Sequence, residues 1–333
     1  MNKSLLSKFA AIAAAGATLT LCACSGATPM SEFKRPLPWQ GNVITGTGDD
    51  ASETPAVGGY EQLGYTVAIY DMTGDKHEIA KGEMTCTTDT PSSGNTASYA
   101  MNFTVTYADD EKAGADRGLT DTINSSLTFD IRTLHTMQMK KEAKFAERKD
   151  KTDMSYVLDA DYFGKKQATA TIPALGATDK KMSVPGNTFD NEMMLHFARA
   201  TSIGKNTSTR FEMTNIFDSY AGGTAATYTM VATGAENSET LHLGDWVKDF
   251  GVEKKESDDG KVTYPVICYN VQIGIDADRH GPAYYVSYTE KPFVSGNLSH
   301  AKIPVKITYS QYIGTTMYRI HEYTLNSVSF VRQ

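Results

Sequence analysis

The residue types that most often carry chemistry are present but scattered. Seven histidines occur, at positions 77, 135, 196, 242, 280, 300 and 321. No two lie within five residues of each other, so the chain has no local zinc pair and no His-Glu-x-x-His run. Asp276-Ala-Asp278-Arg-His280-Gly281 imitates the start of a calcium loop. His280 holds its fifth position and Ser287 its twelfth, where such a loop needs an oxygen ligand and a bidentate Glu. Asp159-Ala-Asp161-Tyr-Phe-Gly164 fails in the same way, with Phe163 and Ala170 at those places, and both segments read as polar turns. The adjacent acids Asp109-Asp110 and Asp258-Asp259 sit in polar loops, whereas glycoside hydrolysis needs two carboxylates ~5–10 Å apart in a cleft. There is no Gly-x-Ser-x-Gly elbow, no P-loop and no Gly-x-Gly-x-x-Gly. Tyr284, Tyr285 and Tyr288 could line a sugar platform, but on a strand core and edge packing is their commoner role. The expectation is a protein that is not an enzyme, with no catalytic residue, no metal and no cofactor.

The elements that would position such residues are mostly strands. The chain has 333 residues, with 32 Lys and Arg against 39 Asp and Glu, a net charge of −7. That balance offers no basic face and argues against a nucleic-acid partner. Forty Thr, 18 Tyr and 13 Phe suit a pleated, half-buried surface. Tyr99, Met101, Phe103, Val105 and Tyr107 alternate as the strongest strand signal. Similar period-2 sets begin at Tyr65, Leu127, Met154, Ala168, Tyr228, Tyr269, Ile303 and Tyr323. Met137–Lys149 carries good helix formers, but Met137, Met139, Ala143 and Phe145 fall on alternate positions and favour a strand with one wet face. One segment breaks the pattern. Asp190 is an N-cap candidate, and Met193, Met194, Phe197 and Ala198 then make a helical stripe, with Gly204 placed to end it. Thr240–Phe250 is not alternating and suggests a second short element.

The N-terminus reads as an address. Lys3 and Lys8 precede an uncharged run from Phe9 to Leu21, too short for a stable span of a ~30 Å hydrocarbon core. The run ends Leu21-Cys22-Ala23-Cys24, which resembles the box of a bacterial lipoprotein signal. The resemblance implies cleavage of residues 1–23, acylation of Cys24 and export. Several acyl chains would then hold the protein to a bacterial cell membrane, at ~0.8 kcal/mol per buried CH₂. Loss of the two signal lysines deepens the charge from −7 to −9. Residues 24–59, rich in Gly, Ser, Thr, Pro and Asp, read as a flexible tether, and 60–333 as a single β-rich domain. Two cysteines remain, Cys86 and Cys268. A disulfide between them would suit an exported chain, and two buried free thiols are the alternative.

The order of segments from 120 to 330 also resembles an uncharacterised envelope-protein family with an Asp…Arg helix and a late x-Pro-Val-x-Ile strand. The matching positions are Asp190 and Arg199 on the helix and Pro304, Val305 and Ile307 on the strand. The Ser that follows the Asp in that family is missing here. The resemblance implies a fold like that of the lipoprotein carriers LolA and LolB. The fold expected is therefore mainly β, a large curved antiparallel sheet (an open half-barrel) with one short helix on its concave face. A β-sandwich with a boundary near Lys180–Thr188 is the alternative. Met193, Met194 and Phe197 would then line an apolar-ligand space or simply fill the core. The expected role is a membrane-tethered envelope lipoprotein binding a lipid or other apolar ligand. An adhesin-like surface protein and a secreted glycan hydrolase are the alternatives.

Overall fold

The computed structural model describes residues 42–45, 52–55, 58–146, 154–200, 203, 205–220, 222–256, 260–275, 283–313 and 316–331. The signal segment and Cys24 lie outside the described residues.

One large sheet dominates. Its first half is a meander of β1 (Gly59–Asp71), β2 (His77–Thr90), β3 (Thr96–Tyr107), β4 (Thr120–Asp130), β5 (Thr136–Lys144), β6 (Tyr156–Asp161), β7 (Gln167–Ile172) and β8 (Ala177–Ser183). Its second half comprises β9 (Ser208–Asn215), β10 (Ala226–Leu243), β11 (Val262–Ile275), β12 (Ala283–Thr289), β13 (Pro304–Ile313) and β14 (Thr316–Val331). Every sequential pair within each half is antiparallel. The two halves join through the ends of the domain, β14 pairing with β1 from Arg319↔Asp71 to Val331↔Tyr60. β3 shows why the alternation was legible: Tyr99, Phe103, Val105 and Tyr107 are buried while the residues between them face water.

The meander breaks once, between β8 and β9. Among the described residues no antiparallel ladder joins these two strands. The edges are instead brought together by two-residue parallel pairings, Met182–Ser183 against Gly223–Thr224 and Phe189–Asp190 against Met213–Thr214. Single bonds from Ala225 N–H to Ser183 O (2.8 Å) and from Thr136 N–H to Thr188 O (3.0 Å) complete the seam. The sheet is thus an open half-barrel curled into a barrel-like ring with an unladdered seam. Two stacked sheets, as a sandwich requires, are not what it forms. Curling brings backbones close: a Cβ on Gly82 of β2 would lie 1.9 Å from Thr104 O of β3.

The seam is where the helix enters. A 3₁₀ turn, Asn191–Met193, leads into α1 (Met194–Ala200), which packs inside the curved sheet. Met193 is fully buried and Met194 nearly so, in one core with Tyr65, Val67 and Ile69 of β1. The non-alternating segment at Thr240–Phe250 ends in a 3₁₀ turn, Asp245–Phe250.

A second, four-stranded sheet is made by Phe293–Ser295, Leu298–His300, Asn42–Thr45 and Ser52–Pro55. Two segments of the stretch expected to be tether are therefore strands. They have no long hydrophobic period, so the sequence gives little sign of them. Val43 and Asn42 pair with the open edge offered by Leu298 and Ser299.

Of the two alternatives for the cysteine pair, the structure has the free thiols and not the disulfide. Cys86 and Cys268 are both buried free thiols. They sit on β2 and β11, five strand steps apart in the sheet at ~4.8 Å per step, whereas a bridge needs Cα atoms within ~7 Å. Burial pushes both thiols up to about 12.

Candidate functional site

Both ends of the helical segment are pinned by buried ionisable groups. At its start Asp190 accepts from Glu192 N–H at 3.0 Å and from the Tyr162 hydroxyl at 2.5 Å, while its own N–H donates to Thr136 Oγ1 at 2.9 Å. Burial and the nearby Glu192 charge push the Asp190 carboxyl up to about 7. At the other end Arg199 donates to both Glu61 oxygens, at 2.6 and 3.1 Å, and to Ala301 O at 3.3 Å. His300 Nδ1 lies 3.0 Å from Glu61 Oε2, and its ring stacks on Phe330 at 3.6 Å. Burial alone would raise the Glu61 carboxyl; the Arg199 charge and the hydrogen bonds from His300 and Arg199 overcome it and hold it at about 2. Tyr65 donates to Pro304 O at 2.8 Å. Asp190 and Arg199 thus serve as ties between helix and sheet, while Pro304 is tied to the neighbouring sheet strand by Tyr65. Their acids are fully engaged and shielded from solvent, which suits support rather than proton transfer.

The side of the helix facing Glu61 is packed. The cavity there, lined by Glu61, Tyr65, Tyr99, His196, Arg199 and Pro304 among others, is about 10 Å³, room for one water at most. Met193 and Met194 fill core and line no ligand-sized space. The Phe197 side chain lies outside the described residues.

The opposite end of the interior is different. Tyr284 of β12 and Tyr309 of β13 are cross-strand partners stacked at 4.5 Å between ring centroids. Tyr309 meets His321 of β14 edge-on at 5.7 Å. Tyr323, opposite Val67 and Ile307 and therefore on the inner face, stands 6.3 Å from Phe103. Facing them is Tyr156 of β6, with Lys141 of β5 pairing Glu192 at 2.5 Å beneath. Tyr156, Tyr284, Tyr309, His321 and Tyr323 are crowded by protein on most sides, yet each keeps part of its surface exposed. Together they form a partly exposed cluster on the inner face of the sheet, the tyrosine cup, beside the Lys141–Glu192 pair.

The cup is electrically quiet. Burial pushes the Tyr309 phenol up to about 12 and those of Tyr284 and Tyr323 higher, so all three stay neutral and both donate and accept. Burial, with the Arg319 charge behind it, pushes His321 down to about 3, so the ring is a neutral imidazole at ordinary pH. Its buried Nε2 has no hydrogen-bond partner among the described residues. The same holds for the Ser125 hydroxyl, which points inward between Met101 and Lys141. The chemistry on offer is ring stacking and neutral hydrogen bonding.

The three tyrosines singled out in the sequence part company. Tyr284 enters the cup, Tyr285 faces outward at 44 % exposure, and Tyr288 is core and donates to Leu195 O at 3.2 Å. Tyr156, Tyr309 and Tyr323 were legible only as strand residues; cross-strand register brings them together. Asp110 caps a 3₁₀ turn through Ala113 N–H at 3.0 Å, and Asp161 accepts from Gly164 N–H at 2.7 Å, as turn acids do. Asp258, Asp259 and the Asp276–Gly281 segment lie outside the described residues. Among the described residues no group of three or more His, Cys, Asp or Glu is placed to hold a metal, and no helix is long and apolar enough to cross a membrane.

No protein-family model matches the chain, and no curated protein matches it. Among solved structures it is similar to a β-barrel-like protein of domain of unknown function DUF1849 from Brucella abortus. That likeness has a TM-score of 0.49 at 10 % identity and covers 82 % of this chain and 98 % of the other. A second match, to the enduracididine biosynthesis enzyme MppR, has a TM-score of 0.09 at 9 % identity, covering 86 % and 91 %. At these TM-scores neither likeness bears on function.

Proposed function

We propose that this protein is a membrane-tethered envelope lipoprotein, not an enzyme, whose curved sheet binds an amphipathic ligand. Cys24 carries the lipid anchor and the folded domain stands off the surface on the segment before Asn42. The observation that supports binding is the tyrosine-lined cup, an inward-facing surface of rings and hydroxyls that the core leaves partly open. The ligand site is this end of the interior, because the space beside α1 is only about 10 Å³. An amphipathic occupant suits the cup because ring faces and hydroxyls alternate around it.

Native mass spectrometry of the full-length protein extracted from its own membrane tests the reading. A small-molecule adduct that is retained by the wild type and lost in the Tyr284→Ala/Tyr309→Ala variant supports it. Wild type and variant each at the mass of its own lipidated chain, with no adduct on either, speak against it.

A further inference from the structure

We infer that residues 188–190, which bridge the seam between β8 and β9, are a pH-dependent latch: they hold the start of α1 in place while Asp190 is protonated and release it when Asp190 ionises. The inference stands apart from any ligand. The bridge is thin. On one side Thr136 N–H donates to Thr188 O at 3.0 Å and Asp190 N–H donates to Thr136 Oγ1 at 2.9 Å. On the other, Phe189 and Asp190 run parallel to Met213 and Thr214, and the Thr188 and Thr214 hydroxyls lie 3.0 Å apart. The chain then turns directly into the 3₁₀ turn and α1, so whatever frees Asp190 also frees the helix start. Losing these few bonds disturbs none of the long antiparallel ladders, so the bridge can open while the ring of strands persists.

The groups around Asp190 decide which of its forms the closed bridge accepts. Lys141 of β5 pairs with Glu192 at 2.5 Å, the side chains being only 17 % and 8 % exposed, and the two charges cancel. Tyr162, against Asp190, and Tyr156, beside Lys141, are phenols that burial keeps neutral. The His135 ring meets Phe189 at 5.6 Å, and burial pushes it below its ordinary 6.5, so it is neutral above that value. On α1 itself Arg199 is bound to Glu61 at the far end. Protonated Asp190 therefore completes a cluster with no net charge. Ionised Asp190 adds one negative charge with no cation of its own, on a residue with 0 % exposure. Its bonds do not choose between the forms, because the Tyr162 hydroxyl accepts from the acid as readily as it donates to the carboxylate. Burial and the Glu192 charge place ionisation at about 7. Opening the bridge brings water to the carboxylate and removes that cost.

Amide hydrogen exchange of the full-length protein in detergent, read by mass spectrometry and corrected for the intrinsic effect of pH, tests the latch. The amides of Thr136, Asp190 and Glu192 should lose protection by roughly 50-fold between pH 5 and 7 and level off above that. Low urea, well below the unfolding midpoint, should leave their exchange unchanged while it speeds that of Val67 and Tyr323, because a local opening exposes little surface. Asp190→Asn keeps the cap and should abolish the pH dependence. Glu192→Gln, a second variant, leaves Lys141 to compensate an ionised Asp190 and should shrink it. Protection that is flat with pH in the wild type, or that falls equally in Asp190→Asn, overturns the latch. An unchanged fall in Glu192→Gln overturns the charge balance behind it. Urea dependence at Asp190 as steep as at Val67 means that the opening is global unfolding, which also overturns it.

Discussion

At the scale of single residues, the molecule spends its buried charges on holding α1 rather than on reaction chemistry. Glu61 and Arg199 are almost wholly buried, so removing either leaves the other charged, desolvated and alone. Glu61→Gln should cost about 3–5 kcal/mol in urea unfolding, while exposed pairs such as Lys81–Glu78 should cost under about 1 kcal/mol when broken. The two buried acids make opposite pH predictions. Glu61 is held below its ordinary range, so its contribution is present above about 4.5 and is lost as pH falls toward about 2. Asp190 is held above its ordinary 3.8, so it favours the fold when protonated, and its contribution is lost as pH rises through about 7. Unfolding free energy measured from pH 4 to 8 should therefore decline across this window by up to about 4 kcal/mol from Asp190 alone. Asp190→Asn should flatten that decline, and an unchanged slope would show that Asp190 does not titrate there. Residue identity in the sequence was a partial guide. Asp190 was readable as a helix cap because capping is local, and it is one. The partner of Arg199 was not readable, because Glu61 lies 138 residues away and the two are joined only by the wrapping of the sheet.

At the scale of elements, the legible features were those with a local period. Tyr99–Tyr107 alternates and is β3; Met137–Phe145 alternates despite helix-forming residues, and Thr136–Lys144 is β5. The short strands at Asn42–Thr45 and Ser52–Pro55 carry no such signal, because they exist by borrowing the edge at Leu298–His300. The cup is a further case: Tyr284, Tyr309 and His321 form one line across three strands only once the register is set. Two elements carry predictions. The seam between β8 and β9 is held by two-residue pairings, whereas β14 and β1 share a long ladder. Hydrogen exchange should therefore be faster at Ala225 and Thr136 than at Val67 and Tyr323 by orders of magnitude, and equal protection would mean that the seam is laddered in solution. Gly82 lies where β2 and β3 approach too closely for a Cβ. Gly82→Ala should destabilise the domain by more than the ~1 kcal/mol expected of an ordinary strand glycine, read as a lowered melting temperature.

At the scale of the whole molecule, a ring of strands with a helix inserted at its one break leaves one end of the interior packed and the other partly open. That asymmetry, with an N-terminus that resembles a lipoprotein signal, is what the proposal of a tethered binding protein rests on. Cys24→Ala should move the protein from the membrane fraction to the soluble one, and an unchanged distribution would remove the anchor from the account. The central claim is that the tyrosine end of the barrel is a surface a ligand can reach, and hydroxyl-radical footprinting of the full-length protein, read by mass spectrometry, tests it most directly. Tyr284, Tyr309 and Tyr323 should be modified readily, while Tyr65 and Tyr288, exposed by only 1 % and 0 %, should be protected. Cup tyrosines as protected as Tyr65 and Tyr288 would mean that the interior is filled throughout, and would contradict a binding site there.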